Sequence, residues 1–127
     1  MKIGVIDDDP IILDLLQVAF SELGYSMVSR TSAMGALGWI QNERPEIVLV
    51  DLNMPGLPGD EWLDMITKET TMGTDGRKPA FVIFSSRSHT ELERVVRDTC
   101  AIGYIRKQDG VDGFSEAFKE IVQGFEL

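Results

Sequence analysis

Short apolar runs alternate with amphipathic segments along the whole chain, and this alternation predicts five strands and five helices. The run Ile47–Val50 is uninterrupted, which is typical of a central parallel strand covered on both faces. The more polar run Tyr25–Ser29 is predicted to lie nearer an edge. The predicted strands are Lys2–Ile6, Tyr25–Ser29, Ile47–Val50, Ala80–Phe84 and Gly103–Arg106. The predicted helices are Pro10 to about Glu22, Ala33–Gln41, Asp60 (as the cap) to about Lys68, Thr90–Thr99 and Val111–Phe125.

Local signals support several of these boundaries. Asp9 before Pro10 is the pattern of an N-cap followed by proline in the first helical turn. Gly35 and Gly38 weaken the second predicted helix. The segment NMPGLPG after Leu52 is predicted to be a loop, and Lys68–Pro79 a polar surface loop away from any site.

Strands that alternate with helices predict an α/β fold, with right-handed crossovers and helices on both faces of a parallel sheet. A chain of 127 residues is long enough for one domain with a core and too short for two ordinary ones. In such sheets ligands bind outside the carboxyl ends of the strands.

Composition narrows the class of protein. Hydrophobic residues make up 43% and charged residues 26%, as in soluble globular proteins. With 21 acidic against 12 basic residues the formal charge is −9, so direct binding to nucleic acid is not expected. The single cysteine, Cys100, fits a reducing compartment. Without an apolar signal segment or a run of ~20 apolar residues, the chain is expected to be cytoplasmic, with no membrane partner.

Polar side chains follow three of the predicted strands. Asp7 and Asp8 come after the first, Asp51 after the third, and Ser85 after the fourth. Carboxylates gathered at one sheet edge repel each other unless a cation lies among them. Magnesium prefers such oxygen ligands, and the main-chain carbonyl of Asn53 offers a further one. The acidic tips therefore predict a magnesium site, which Mn²⁺ could also fill.

A cation among carboxylates favours phosphate chemistry, because a carboxylate oxygen can attack phosphorus and give an acyl phosphate. The hydroxyl of Ser85 and the ammonium of Lys107 suit the phosphoryl oxygens as hydrogen-bond donor and counter-charge. Simpler readings stay open: Asp9 as a helix cap, Ser85 as a turn hydroxyl, and Lys107 as a surface lysine.

Four segments together resemble one family. They are VIDDDP near the start, VLVDLNMPG in the middle, FVIFSS later and GYIRK before the last helix. In this order, on the predicted strand ends, they resemble the receiver domains of two-component response regulators, over essentially the whole chain. The resemblance implies a flavodoxin-like doubly wound fold with strand order 2-1-3-4-5. It also implies a single receiver domain over residues 1–127, acting as a phosphorylation-switched signalling protein and not as an enzyme. Because only two residues follow Phe125, no output domain is expected.

The resemblance assigns roles to the site residues. Asp51 would accept a phosphoryl group from the phosphohistidine of a sensor histidine kinase or of a histidine phosphotransfer protein. Asp7 and Asp8 would hold the metal together with Asp51 and the Asn53 carbonyl. Ser85 and Tyr104 would be the switch residues, with Tyr104 turning inward as Ser85 moves, and Lys107 would pair with the phosphate.

Three positions depart from the family's usual pattern or fall where it varies. Gln108 follows Lys107, where the family usually has a proline, so the bond between them is expected to be trans. Ser86 stands where the family mostly has a small residue, and Arg87 lies at a variable position. All three are expected to modulate the gain and loss of phosphate.

Two surfaces are candidates for partners. The face formed by the fourth helix, the fifth strand and the last helix would contact a downstream protein and would support either a monomer or a phosphorylation-dependent dimer. Its candidate residues are Arg94, Arg97, Tyr104, Arg106 and Lys119. Ile11 and Val18 on the first helix are candidates for kinase docking. Ordinary solvated or helix-contacting faces are the rival interpretation, and His89 is expected to be only an exposed residue.

Two other classes of protein compete with this interpretation. A pseudo-receiver would bind partners without phosphorylation, but it would be expected to lack some of the acidic site residues. This chain has Asp7, Asp8 and Asp51, together with Ser85 and Lys107. A magnesium-dependent phosphatase with an aspartyl nucleophile would carry a second acid where this chain has Asn53.

Overall fold

The computed structural model describes residues 1–54, 59–70 and 78–126. The strands are β1 Lys2–Ile6, β2 Ser26–Arg30, β3 Ile47–Val50, β4 Ala80–Ser85 and β5 Gly103–Arg106. The helices are α1 Pro10–Glu22, α2 Ala36–Glu43, α3 Gly59–Glu69, α4 His89–Asp98 and α5 Gly110–Glu126, with a 3₁₀ turn at Lys107–Asp109. No helix in the described ranges combines the length and the apolar character needed to cross a bilayer.

The strands form one parallel sheet in the order β2-β1-β3-β4-β5, which confirms the predicted topology. Every residue of β3 is buried, as expected for the middle strand, whereas β2 at the edge has no buried residue. Sequence order changes direction between β1 and β3, so the carboxyl ends of these two strands flank the crevice in which such folds bind ligands.

The helices cover both faces of the sheet. Alternate β3 residues point to opposite layers: Val48 and Val50 to the layer of α2, α3 and α4, Ile47 and Leu49 to that of α1 and α5. The second layer contains an aromatic cluster in which the rings of Phe20 and Phe118 meet edge-on at 4.9 Å between centroids. Burial on both faces fixes the register of the sheet and thereby the positions of the strand ends.

Most predicted helix starts are shifted. Helix α1 begins at Pro10 as predicted, and the Asp9 carboxylate accepts a hydrogen bond from the Ile11 amide. Helix α2 begins at Ala36 instead of Ala33, because Gly35 has a left-handed backbone (φ 74°). Helix α4 begins at His89 instead of Thr90, since the Ser88 hydroxyl caps it by accepting from the Glu91 amide.

The prediction that Asp60 caps α3 was wrong. The helix begins one residue earlier, at Gly59, so Asp60 lies within the first turn and its carboxylate points to other partners. Gly59 is required by a close approach, because a Cβ there would collide with the carbonyl of Leu52. Within the predicted loops, residues 55–58 and 71–77 lie outside the described residues.

Candidate functional site

Three carboxylates meet at the carboxyl edge of the sheet. Asp7 and Asp8 follow β1, and Asp51 follows β3, whose last residue pairs with the last residue of β1. Each of the three offers an oxygen within 4.8 Å of the others. Asp7 and Asp51 are 1% and 4% exposed, whereas Asp8 is exposed. Two buried acids and one open to solvent thus form an acidic cluster, called here the acidic pocket.

Lys107 lies against the two buried acids. Its Nζ is 3.0 Å from Asp7 Oδ2 and 3.1 Å from Asp51 Oδ2, and it also lies over the Phe84 ring, 5.4 Å from the centroid. Burial alone would lower the pKa of Lys107, but its close interactions with the Asp7 and Asp51 carboxylates raise it overall. Lys107 is therefore a permanent cation of the pocket at neutral pH.

The peptide bond after Lys107 is trans, as expected with Gln108 in place of proline, because no cis bond occurs in the described part of the chain. The 3₁₀ turn Lys107–Asp109 starts at this lysine. A trans bond in this loop thus still allows the ammonium to reach both carboxylates.

Asp7 retains an unsatisfied oxygen. Its Oδ1 accepts from the Asp9 amide at 2.9 Å, but Oδ2, although at ion-pair distance from Lys107, accepts no hydrogen bond of acceptable geometry. Burial raises the pKa of Asp7, the Asp51 charge raises it further, and the Asp9 amide and Lys107 oppose the rise. A buried carboxylate oxygen without a full partner fits a metal ligand.

The donor set fits magnesium. The ammonium contacts two of the three clustered carboxylates, so the cluster keeps a net negative charge. Hard divalent cations favour oxygen ligands of this kind. Asp7, Asp8 and Asp51 are the residues that would hold the ion. The further ligand proposed from Asn53, its main-chain carbonyl, stays a prediction.

Asn53 and Ser85 border the carboxylate of Asp51. The Asn53 amide N–H donates to Asp51 Oδ1 at 2.8 Å, and its side-chain Nδ2 donates to Ser85 Oγ at 3.2 Å. Ser85 Oγ also accepts from the Arg87 amide at 3.2 Å, and Ser85 is fully buried. The sequence-predicted residues Asp7, Asp8, Asp51, Asn53, Ser85 and Lys107 are therefore brought together at one edge. Their chemical roles stay predictions.

An ion-pair network beside this edge was missed at the sequence level. Arg87 donates from a terminal guanidinium nitrogen to Asp60 Oδ1 at 2.7 Å, and Arg94 lies 3.7 Å from Asp60 Oδ2. The Arg87 Nε also donates to Asn53 Oδ1 at 3.4 Å. The pairing joins residues 27 positions apart, so no local sequence signal could have indicated it.

Two side chains from the next strand and loop hold the segment after β4. Gln108 Nε2 donates to the Ser86 carbonyl at 2.8 Å, and Arg106 Nε donates to the Arg87 carbonyl at 3.1 Å. The Ser86 side chain itself is exposed. Gln108 thus holds the loop that contains Ser86 and Arg87.

Tyr104 on β5 interacts with a residue that the sequence suggested was only exposed. His89 is exposed as predicted, but its Nδ1 lies 2.8 Å from the Tyr104 hydroxyl. Burial is the main cause that raises the pKa of Tyr104, with a smaller contribution from Glu93. The aromatic position is therefore linked to the start of α4.

The candidate partner residues differ in their surroundings. Arg97 and Lys119 are exposed on α4 and α5, whereas Arg94 is directed to Asp60 and Arg106 to the Arg87 carbonyl. On α1, Ile11 and Val18 are 69% and 57% exposed, and Leu15, which was not predicted, is 47% exposed between them. A groove beside Leu15 is lined in part by Phe84, Phe114 and Lys107, so this apolar stripe borders the acidic pocket.

Comparison with known proteins agrees with this architecture. The family model described as response regulator receiver domain matches residues 3–119. Transcriptional regulatory protein KdpE of Mycobacterium tuberculosis is 26% identical over 94% of this chain and 50% of its own length. Sporulation initiation phosphotransferase F of Bacillus subtilis is 25% identical over 94% of this chain and 91% of its own length.

A solved structure of a CheY-like response regulator receiver domain protein from Methanospirillum hungatei is similar in fold. It has a TM-score of 0.78 and 25% identity, and the match covers 98% of this chain and 95% of that one. The chain belongs to the response regulator receiver domain family. It spans about half the length of the KdpE proteins and of the Pseudomonas aeruginosa alginate regulator that it matches.

Proposed function

We propose that this receiver domain accepts a phosphoryl group on Asp51 in a magnesium-dependent reaction and signals by the resulting change in its surface. The observation that carries the proposal is the placement of Lys107 between the buried carboxylates of Asp7 and Asp51, with Asp8 beside them. An ordinary buried ion pair has no need of a third acid beside it, whereas a site for a cation and a phosphoryl group does.

In the proposed reaction a carboxylate oxygen of Asp51 forms the new bond to phosphorus. The bond between phosphorus and the imidazole nitrogen of the donor phosphohistidine breaks, its electron pair stays on nitrogen, and the imidazole takes up a proton from solvent. Magnesium, when bound, supplies positive charge for the phosphoryl oxygens. Lys107 already contacts Asp51 Oδ2 and stabilises the charge on the transferred group.

Ser85 is proposed to move in response to phosphorylation of Asp51. Its Oγ accepts hydrogen bonds from Asn53 and Arg87, so its hydroxyl proton is the part that can meet a phosphoryl oxygen. Movement of Ser85 would shift the segment after β4 and, through His89, the side chain of Tyr104. Ser86, Arg87 and Gln108 belong to this segment or hold it, and we propose that they set the lifetime of the phosphoryl group.

The proposed partners are a sensor histidine kinase or a histidine phosphotransfer protein upstream and a protein target downstream. One relative is named a phosphotransferase, which favours a relay as one form of output. The face of α4, β5 and α5 is the proposed output surface, through Arg97 and Lys119 in particular, and a phosphorylation-dependent dimer could also form there.

Incubation with acetyl phosphate and magnesium tests the function. We expect one phosphate per chain, found on Asp51 by mass spectrometry, released by hydroxylamine as an acyl phosphate is, and absent when EDTA replaces the metal. No adduct with either magnesium or manganese would favour a pseudo-receiver. Repeated turnover of unrelated phosphate esters would favour a phosphatase.

The apolar stripe on α1 gives a test of kinase docking. Ile11→Ser and Val18→Ser together are expected to slow phosphotransfer at least about tenfold from any purified histidine kinase that phosphorylates the wild type. The reason is that two exposed apolar side chains would lose the free energy of their burial against the kinase. Phosphorylation by acetyl phosphate should not change, because this donor needs no docking surface. Met34→Ser, at an exposed methionine in the turn before α2, is the matched control. Equal losses with both donors would contradict docking through α1.

A further inference from the structure

The guanidinium of Arg87 is shared between the acceptor edge and helix α3. One terminal nitrogen donates to Asp60 Oδ1 at 2.7 Å, and Nε donates to Asn53 Oδ1 at 3.4 Å. The Arg87 side chain is 24% exposed and that of Asp60 is 40% exposed, so the pair lies at the surface and not in the core. Exposed pairs of this kind are weak enough to exchange partners.

Asn53 links this pair to the acceptor. Its main-chain N–H donates to Asp51 Oδ1 at 2.8 Å, and its side chain contacts both Ser85 Oγ and Arg87 Nε. One residue therefore separates the guanidinium from the carboxylate that would be phosphorylated.

Asp60 is positioned by the start of α3 and has a second cationic partner. The contact of Gly59 with the Leu52 carbonyl fixes the start of α3 against the segment that follows β3. Arg94 on α4 lies 3.7 Å from the second oxygen of Asp60, so two cations share this carboxylate. A carboxylate placed here competes for Arg87 with any anion that arrives at Asp51.

We propose that Asp60 is a positioning residue that holds Arg87 away from the incoming phosphoryl group, and that Arg87 exchanges Asp60 for a phosphoryl oxygen when Asp51 is modified. The inference rests on the proposed phosphorylation of Asp51. A phosphoryl group offers more negative charge and better bidentate geometry to a guanidinium than a single shared carboxylate does. Asp60 thus slows the reaction, because the donor must compete for a cation that is already paired.

Asp60→Asn is the direct test. We expect it to raise the rate constant for phosphorylation by acetyl phosphate, at subsaturating donor with magnesium, about threefold to fivefold, the scale of one exposed ion pair. Glu61→Gln, next to it in the first turn of α3, removes the same charge and should leave the rate unchanged. Asp60→Glu keeps the carboxylate, so its rate constant should lie closer to that of the wild type than to that of Asp60→Asn.

A double-mutant cycle separates positioning from a general charge effect. In an Arg87→Met background, Asp60→Asn should have no effect on the rate, because the cation it releases is gone. The inference is overturned if Asp60→Asn and Glu61→Gln act alike, or if the effect of Asp60→Asn persists without Arg87. Absence of any adduct on the wild type would overturn the proposed function and this inference together, whereas a wild-type adduct with an unchanged Asp60→Asn rate overturns only the inference. Thermal unfolding of each variant is the check that its fold is retained.

Discussion

Asp51→Asn is expected to abolish the phosphoryl adduct, with a loss of about 100-fold or more in the rate from acetyl phosphate. The reason is chemical: a carboxamide oxygen carries no full negative charge and is a poor nucleophile toward phosphorus. Asparagine keeps the size of the side chain, and its oxygen can still accept from the Asn53 amide. The measurement is mass spectrometry of the intact protein after incubation with donor and magnesium.

Asp98→Asn is the matched control for this loss, because Asp98 is an exposed acid at the end of α4. It should be phosphorylated as the wild type is. An adduct of undiminished yield on Asp51→Asn would place the acceptor elsewhere in the chain and contradict the proposed reaction.

Lys107→Met is expected to have the largest effect on stability. Without the ammonium, the buried carboxylates of Asp7 and Asp51 lose their counter-charge, and removal of one partner from such a cluster costs about 2 kcal/mol or more in the free energy of unfolding. The loss should appear in urea unfolding with EDTA and should shrink when magnesium is added, because the ion replaces the missing positive charge.

Two variants check the cause of this loss. Lys119→Met removes an exposed lysine on α5 and should change the free energy of unfolding little. Asp7→Asn in the Lys107→Met background should recover much of the stability, since one buried charge then disappears. A Lys107→Met protein as stable as the wild type in EDTA would show that the lysine does not balance the acids.

The raised pKa of Asp7 gives the metal-free protein a defined pH dependence. A carboxyl group whose pKa is higher in the folded than in the unfolded state favours folding most at low pH, where it is protonated in both states. Its contribution to the free energy of unfolding is lost as the pH rises through the folded-state pKa. In EDTA, Asp7→Asn should therefore raise the free energy of unfolding of the otherwise wild-type protein. This increase should be greatest at neutral pH and should fall as the pH is lowered. A gain that grows on acidification would contradict the raised pKa.

Much of the fold could be predicted from the sequence, because strands that are buried on both faces of the sheet appear as uninterrupted apolar runs. The uninterrupted Ile47–Val50 run had the same bounds as strand β3, and strand β5 was predicted with its observed bounds. The helix starts were less accurate, because a left-handed glycine at Gly35 and a serine cap at Ser88 were not recognised. Such caps depend on a few torsions and not on the hydrophobic pattern.

The site residues likewise fall into those whose placement the sequence predicts and those whose placement it does not. Asp7, Asp51, Ser85 and Lys107 follow strands, so their meeting at one edge follows from the topology. The partners of Arg87 do not follow from it, because Asp60 reaches Arg87 only through the tight start of α3 at Gly59. Contacts between side chains on different loops and helices are set by packing, for which a single sequence has no periodic signal.

The alternation along β3 has an evolutionary consequence. Since successive residues serve opposite layers and Asp51 follows the last of them, the strand is a spacer of fixed length. Loss or gain of one residue would send the side chains of this strand to the opposite layers and move Asp51 away from Asp7 and Lys107 at once. Sequence change in β3 is therefore expected to be limited to substitutions by side chains of similar volume, without insertions or deletions.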